Sequence, residues 1–474
     1  MAAIGNDVFF ANIPALNAFL KAKQFSAEDL ARAFAERLAQ LGPRLNALAL
    51  PLPQEAIHAA KSVDADLKRG RFRGPLQGVP YAVKDLLAFA GQPTTWGAKP
   101  YASQVFDFNA TVIEKLSGVG AVLTGKLSMV ELAGGGGYRY PSASLTGPGL
   151  NPWDRTRWSG GSSSGSGAAV AAGLAPFAIG SETSGSIVTP AAFCGVTALR
   201  PTYGLVSRYG AMALSWTLDK LGPFARSAED CGLILQVISG KDSKDPGSAG
   251  KSFYYTPQYS RPVKEIKVGF APADFAEWAE PNTRPAFRAA LDALRAGGAP
   301  FVETKLPNFP YGQTLSTILN GEMGSIFEPL IASGKVDELA DKPQIAGLRA
   351  SLELPAKDYL KAMRIRRLIQ EEMAKLFSRV DVLVAPARAA IAPKIDQRLD
   401  AAPAGPQPAD PGFRPIIPLG NLAGLPALVL PCGFADNMPV ALQLVGAPFS
   451  ENVLLSLGRD FQSRTDWHKR RPPI

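Results

Sequence analysis

Histidine is almost missing from this chain: His58 and His468 are the only two in 474 residues. His58 stands in QEAIHAAKSV, which reads as a surface helix, and His468 lies in the terminal DWHKRRPP. Neither context suits a base, which sets aside a Ser-His-Asp triad and a histidine-rich metal site. Cysteine is scarce as well. Cys194, Cys231 and Cys432 are far apart and odd in number, so no disulfide framework or zinc spacing follows. All three sit in apolar surroundings and read as buried thiols. No uncharged run of about 18 apolar residues occurs, so no membrane span is expected. The N-terminus has no basic stretch leading into an apolar core, and cytoplasm is the expected location.

Charge is also modest. Charged residues are 19% against 46% hydrophobic, the balance of a globular chain. The net charge of +9 is spread out, with its densest cluster at Lys469, Arg470 and Arg471. No basic stripe with interleaved aromatics appears, so no nucleic-acid partner is expected.

What the chain does have is glycine and serine around one apolar run. Residues 158–190 read WSGGSSSGSGAAVAAGLAPFAIGSETSGSIVTP. One loop carries Ser162, Ser163, Ser164 and Ser166. The other carries Ser181, Ser184 and Ser186. The stretch between them is apolar on every side, as a buried helix followed by a buried strand would be. A flexible linker does not alternate with continuous apolar segments. A P-loop needs a lysine that is missing between Arg157 and Arg200, and the Rossmann spacing is absent. Loops held by such a rigid unit are where a nucleophile belongs.

A serine needs a base. With histidine set aside, lysine is the substitute, provided that burial keeps it neutral. Lys84 follows the apolar run PYAV, which suits burial. An equal alternative is a strand-end lysine paired with Asp85 in solvent.

Along the chain, helices are predicted over 26–41, 53–69, 111–118, 228–239, 284–298, 357–378 and 451–462. Strands are predicted over 79–83, 121–127, 265–271 and 381–387, and at ALVLPCG and ALQLVG. SMVELA is read as the start of another helix. Residues 241–262 are read as an exposed connection, 306–350 as a variable insertion of weak periodicity, and 401–417 as a Pro-rich surface loop. Alternating strands and helices argue for an α/β fold built on a mixed sheet.

GVPYAVKD, NPWDRTRWSGGSSSGSGAAVAAG and GSETSGSIVTPAA together resemble the motifs of the amidase signature family. GKLSMVELA, ALRPTYGLVSRYG, DKLGPFARSAED, NLAGLPALVLPCG and PVALQLVG extend the resemblance in order, over about 25–462. It implies one domain over 1–474, with core motifs at 74–230 and 381–462, a more variable region at about 241–350, and helices on both faces of a central mixed sheet. It also implies a Ser-Ser-Lys triad. Ser186 would be the nucleophile, Ser162 the middle serine after a cis bond from Gly161, and Lys84 the base. Backbone N–H groups of Thr183, Ser184, Gly185 and Ser186 would form the oxyanion hole. Ser163 would hydrogen-bond near Lys84.

The implied chemistry is acyl transfer from an amide to water, with no cofactor and no metal. The implied partner is a small-molecule amide or related acyl substrate, and the implied state a monomer or homodimer. Many members read Asp-Thr-Gly-Gly-Ser-Ile-Arg where this chain has Glu182 to Val188. The glutamate occurs in stand-alone amidases of the family. Valine in place of that arginine argues against the glutaminase component of the tRNA-dependent amidotransferase. A free-standing amide hydrolase is therefore the first expectation. A carbamate or ester hydrolase and a glutaminase like that glutamyl-tRNA amidotransferase component are the alternatives. The pocket is expected from 134–140, 306–350 and 401–417, with Tyr138, Tyr140, Trp216 and Phe413 as aromatic walls.

Overall fold

The computed structural model describes residues 4–400 and 408–474. Its eleven strands are β1 (Leu48–Pro51), β2 (Pro80–Lys84), β3 (Val122–Leu127), β4 (Ala178–Glu182), β5 (Thr197–Arg200), β6 (Lys220–Ala225), β7 (Val268–Phe270), β8 (Phe301–Glu303), β9 (Val382–Pro386), β10 (Ala427–Ala435) and β11 (Met438–Gly446). They form one sheet in the order β1-β3-β2-β4-β6-β5-β10-β11-β9-β7-β8. β2 runs parallel to both β3 and β4, whereas β4 and β6 are antiparallel. The sheet is therefore mixed, and the fold is α/β.

Helices cover both faces. The strand period of two divides neighbouring residues between separate apolar clusters. Tyr81, Val83 and Ile179 join one cluster, with helical residues such as Leu116, Leu235 and Phe461. Ala82 and Ala178 join another, with Ala168, Ala169, Val170 and Ala191 from the helices Ser164–Ala171 and Val188–Cys194. Lys84, two residues after Ala82, shares the face covered by these short helices.

Local signals match where they are strong. Ser26 and Asp29 form a reciprocal capping box on the helix Ala27–Leu41. Pro53 opens the helix Pro53–Lys68. Where the expectations fail, tertiary packing is the cause. SMVELA gives only a short turn, Glu131–Gly134, with Leu132 and Ala133 left-handed. Its amides are used elsewhere: Val130 N–H donates to Ser162 O, Glu131 N–H to Ala143 O, and Leu132 N–H to Trp96 O. A helix cannot propagate once its donors are committed to distant carbonyls.

Residues 306–350 contain a 22-residue helix, Tyr311–Ala332, and most of a second, Lys342–Ser351. The long helix buries Thr314, Ile318, Glu322, Met323 and Phe327, so it is packed on more than one side and shows no clean stripe. β6 lies inside DKLGPFARS, where Gly222-Pro223 reads as a turn. Its pairing with β5 involves only Phe224 and Ala225, so Pro223 falls outside that ladder.

The segment 241–262 is not uniformly exposed, because Asp245 and Phe253 are buried. Of the Pro-rich segment, 401–407 lie outside the described residues. Beyond them the surface-loop reading fails: Phe413 and Ile416 are buried, and a helix, Ile416–Leu422, begins.

Candidate active site

β2 carries Lys84 into the interior, where it is fully buried. Its amine nitrogen, Nζ, lies 2.7 Å from Ser162 Oγ and 2.9 Å from Ser181 Oγ. Burial lowers its pKa from 10.5 to about 7, against the opposing pull of Asp219 and Glu182. The alternative pairing with Asp85 does not occur. Asp85 is buried and pairs with Lys126 at 2.8 Å.

Ser162 follows a cis peptide bond from Gly161, as the resemblance implies. There is no room for a side chain at Gly161. A Cβ there would stand 2.8 Å from both Trp158 and Val130. Ser163 touches Lys84 only indirectly. Its hydroxyl donates to Ser181 O at 3.1 Å and accepts from Ser181 N–H at 3.3 Å, which fixes the residue that contacts the amine.

Ser186 lies in the turn between β4 and the helix Val188–Cys194. It is 9% exposed, and its hydroxyl has no hydrogen-bond partner among the described residues. Lys84 and Ser162 are thus in direct contact, whereas Ser186 Oγ is held by no partner. Gly185, just before it, has φ +84°, a value that favours glycine. Among the described residues, the amides of Thr183, Ser184, Gly185 and Ser186 find no acceptor within the protein.

The turn is anchored from below by Glu182. One of its oxygens accepts from the amides of Ile187 and Val188, at 2.8 and 3.0 Å. The other accepts from Arg200 Nη1 at 2.7 Å and Asn421 Nδ2 at 2.9 Å. Burial opposes ionisation of Glu182, but Arg200 and Lys220 outweigh it and hold the pKa down at about 2. Asp219 steadies the other flank. It accepts from Thr183 Oγ1 at 2.5 Å and from the amides of Leu214 and Ser215.

Sequence reasoning gives no role to Ser181 or Asp219 and reads Glu182 only as a departure. For Ser181 the signal is present in the second serine loop. For Asp219 there is none, because its partners are set by the fold.

A cavity of about 460 Å³ opens beside Ser181, Thr183 and Asp219. Its walls come from residues 203–221 and 244–247, with Leu86 and Ala133. Trp216 lines it as expected. The segments 306–350 and 401–417 supply none of its described lining, and Phe413 is buried in the core rather than facing a pocket. Arg208 on this wall is neutralised by Asp245, 2.7 Å away.

The profile of the family described as Amidase matches residues 29–455. The chain belongs to the amidase family. It is 39% identical to the A component of the glutamyl-tRNA(Gln) amidotransferase of Synechococcus sp. (strain JA-2-3B'a(2-13)), over 98% of this chain and 93% of that one. Among solved structures, it superposes on the native peptide amidase of Stenotrophomonas maltophilia with TM-score 0.83 at 30% identity, covering 98% of each chain. It also superposes, with TM-score 0.86 at 30% identity, on a chain of a vestigial complex described as revealing the origins of an s-triazine catabolic enzyme. That match covers 96% of this chain and 98% of the other. This amidase-family chain is accordingly an enzyme of amide C–N chemistry. Among the described residues, no helix is long and apolar enough to cross a membrane.

Proposed function

We propose that the chain cleaves a carboxamide through an acyl-enzyme on Ser186. Neutral Lys84 takes the proton of Ser162, and Ser162 takes that of Ser186. Ser186 Oγ then attacks the amide carbon. The amides of Thr183 to Ser186 receive the oxyanion, each worth about 3 kcal/mol in the barrier. The relay returns its proton to the departing amine. Water, deprotonated along the same path, then releases the acid and frees Ser186.

The observation that carries this reading is the buried contact between Lys84 and Ser162, with the amine's pKa near neutrality. An exposed lysine would be charged at that pH and unable to accept a proton. Two settings fit. The Synechococcus relative, at 39% identity over almost the full length, favours glutamine as the amide donor and an amidotransferase assembly as the setting. Val188, buried among small apolar residues where many members have arginine, favours a free-standing hydrolase that is a monomer or homodimer.

Purification with mass measurement in solution, followed by assays of ammonia release from glutamine and of amine release from a simple anilide, separates the two. Ammonia from glutamine supports the first. A self-sufficient protein active on the anilide and inert to glutamine overturns it in favour of the second. Activity on neither substrate, nor on a carbamate or ester, contradicts both.

A further inference from the structure

Arg388, just beyond the end of β9, has no hydrogen bond and no ion pair among the described residues. Its guanidinium lies 5.8 Å from the centroid of the Phe193 ring. It is exposed to solvent. Yet the surrounding protein desolvates it enough to lower its pKa, opposed only by Tyr138.

Ring contacts lead from Arg388 through Phe193, Trp158 and Tyr138 to Gly161, next to the middle serine. Tyr138 is the group that interacts electrostatically with Arg388. Its hydroxyl oxygen is 3.1 Å from where a Cβ on Gly161 would stand, and it has no hydrogen-bond partner among the described residues. Tyr138 packs edge-on against Trp158, and Trp158 against Phe193, with ring centroids 6.1 and 6.3 Å apart. The Trp158 indole N–H is itself buried without an acceptor among the described residues. Three donors therefore share one small aromatic cluster with no carboxylate paired to the cation. A solvent-reachable guanidinium beside donors that lack acceptors offers an anion a charged, planar seat. Arg208 shows the contrast, since its charge is already matched by Asp245.

We propose that Arg388 and Tyr138 form a carboxylate-binding subsite beside Ser162, so that the preferred amide carries a carboxylate. The fork of the guanidinium would take the two carboxylate oxygens, and the tyrosine hydroxyl would donate to one of them. The inference rests on the amide-hydrolase reading and narrows its substrate class. Glutamine and monoamides of dicarboxylic acids belong to that class, whereas neutral aryl amides do not.

The test compares glutaramate, the monoamide of a five-carbon diacid, with its methyl ester. In the unaltered enzyme kcat/KM for amide cleavage should favour the anion. Arg388→Met should lower that preference about ten- to hundredfold, the worth of a charged hydrogen-bonded pair, and chiefly through KM. Arg388→Lys should restore part of it. A preference for the ester, or a ratio unmoved by Arg388→Met, overturns the proposal.

A second measurement does not depend on turnover. Glutarate is titrated calorimetrically into Ser186→Ala with Arg388 intact or changed to Met. Binding that weakens tenfold or more with Arg388→Met supports the subsite even if neither amide is hydrolysed, an outcome that would count against the hydrolase reading alone. Equal binding, or none, to an intact Arg388 protein that unfolds normally on heating overturns the subsite.

Discussion

Between pH 5 and pH 9 the rate should follow the neutral fraction of one amine. An ordinary lysine at pH 7, with a pKa of about 10.5, is neutral in only about 0.03% of molecules. Burial brings the Lys84 pKa to about 7, so about half of the molecules then carry the free base. The gain in base concentration is on the order of a thousandfold, or about 4 kcal/mol, and folding supplies it by removing water from Nζ. The sign is fixed by the role. A base must be unprotonated, so kcat/KM should rise about tenfold per pH unit below about 7 and level off above it. At pH 5 the rate should be about 1% of the plateau. Initial rates over a constant-ionic-strength buffer series, on a substrate that does not titrate in that range, provide the assay. A limb centred near 10, or no rising limb, would refute a buried-lysine base.

Two other changes test the frame around the nucleophile. Glu182→Gln leaves the buried Arg200 uncompensated, which should cost about 3–5 kcal/mol and appear as a lower urea midpoint. Gly185→Ala forces a side chain onto a backbone with φ +84°. The expected cost is about 1–2 kcal/mol in stability, with a larger loss in kcat as the adjacent amides turn away; unchanged kcat would show that those amides are not used.

The sheet order depends on pairings that no local pattern contains, yet much of the site is legible. Lys84 is a candidate because the apolar run PYAV suits burial, although the run fits an exposed strand-end pair with Asp85 equally well. The Gly/Ser loops around one apolar unit stand out by themselves, but only the resemblance to the amidase signature motifs singles out Ser162 and Ser186 among their serines. The rest depends on long-range partners. Ser181 can be named as a loop serine, but its contact with Lys84 comes from β4 lying beside β2. Asp219 sits at the edge of a strand hidden by its own Gly-Pro. The helix Tyr311–Ala332 shows no stripe because Gly321 and Gly324 let Tyr359 and Ser351 pack closely on a second side. Arg388 gives no sequence signal at all, since an arginine after a strand is ordinary until its neighbours are found to leave it unpaired.

The nucleophile itself is tested most directly by trapping. A fluorophosphonate serine reagent, followed by intact-mass and peptide mapping, should place one adduct on Ser186. The adduct should vanish in Ser186→Ala and form far more slowly in Lys84→Ala. A single adduct on another serine, or an unchanged labelling rate without the Lys84 amine, would contradict the relay.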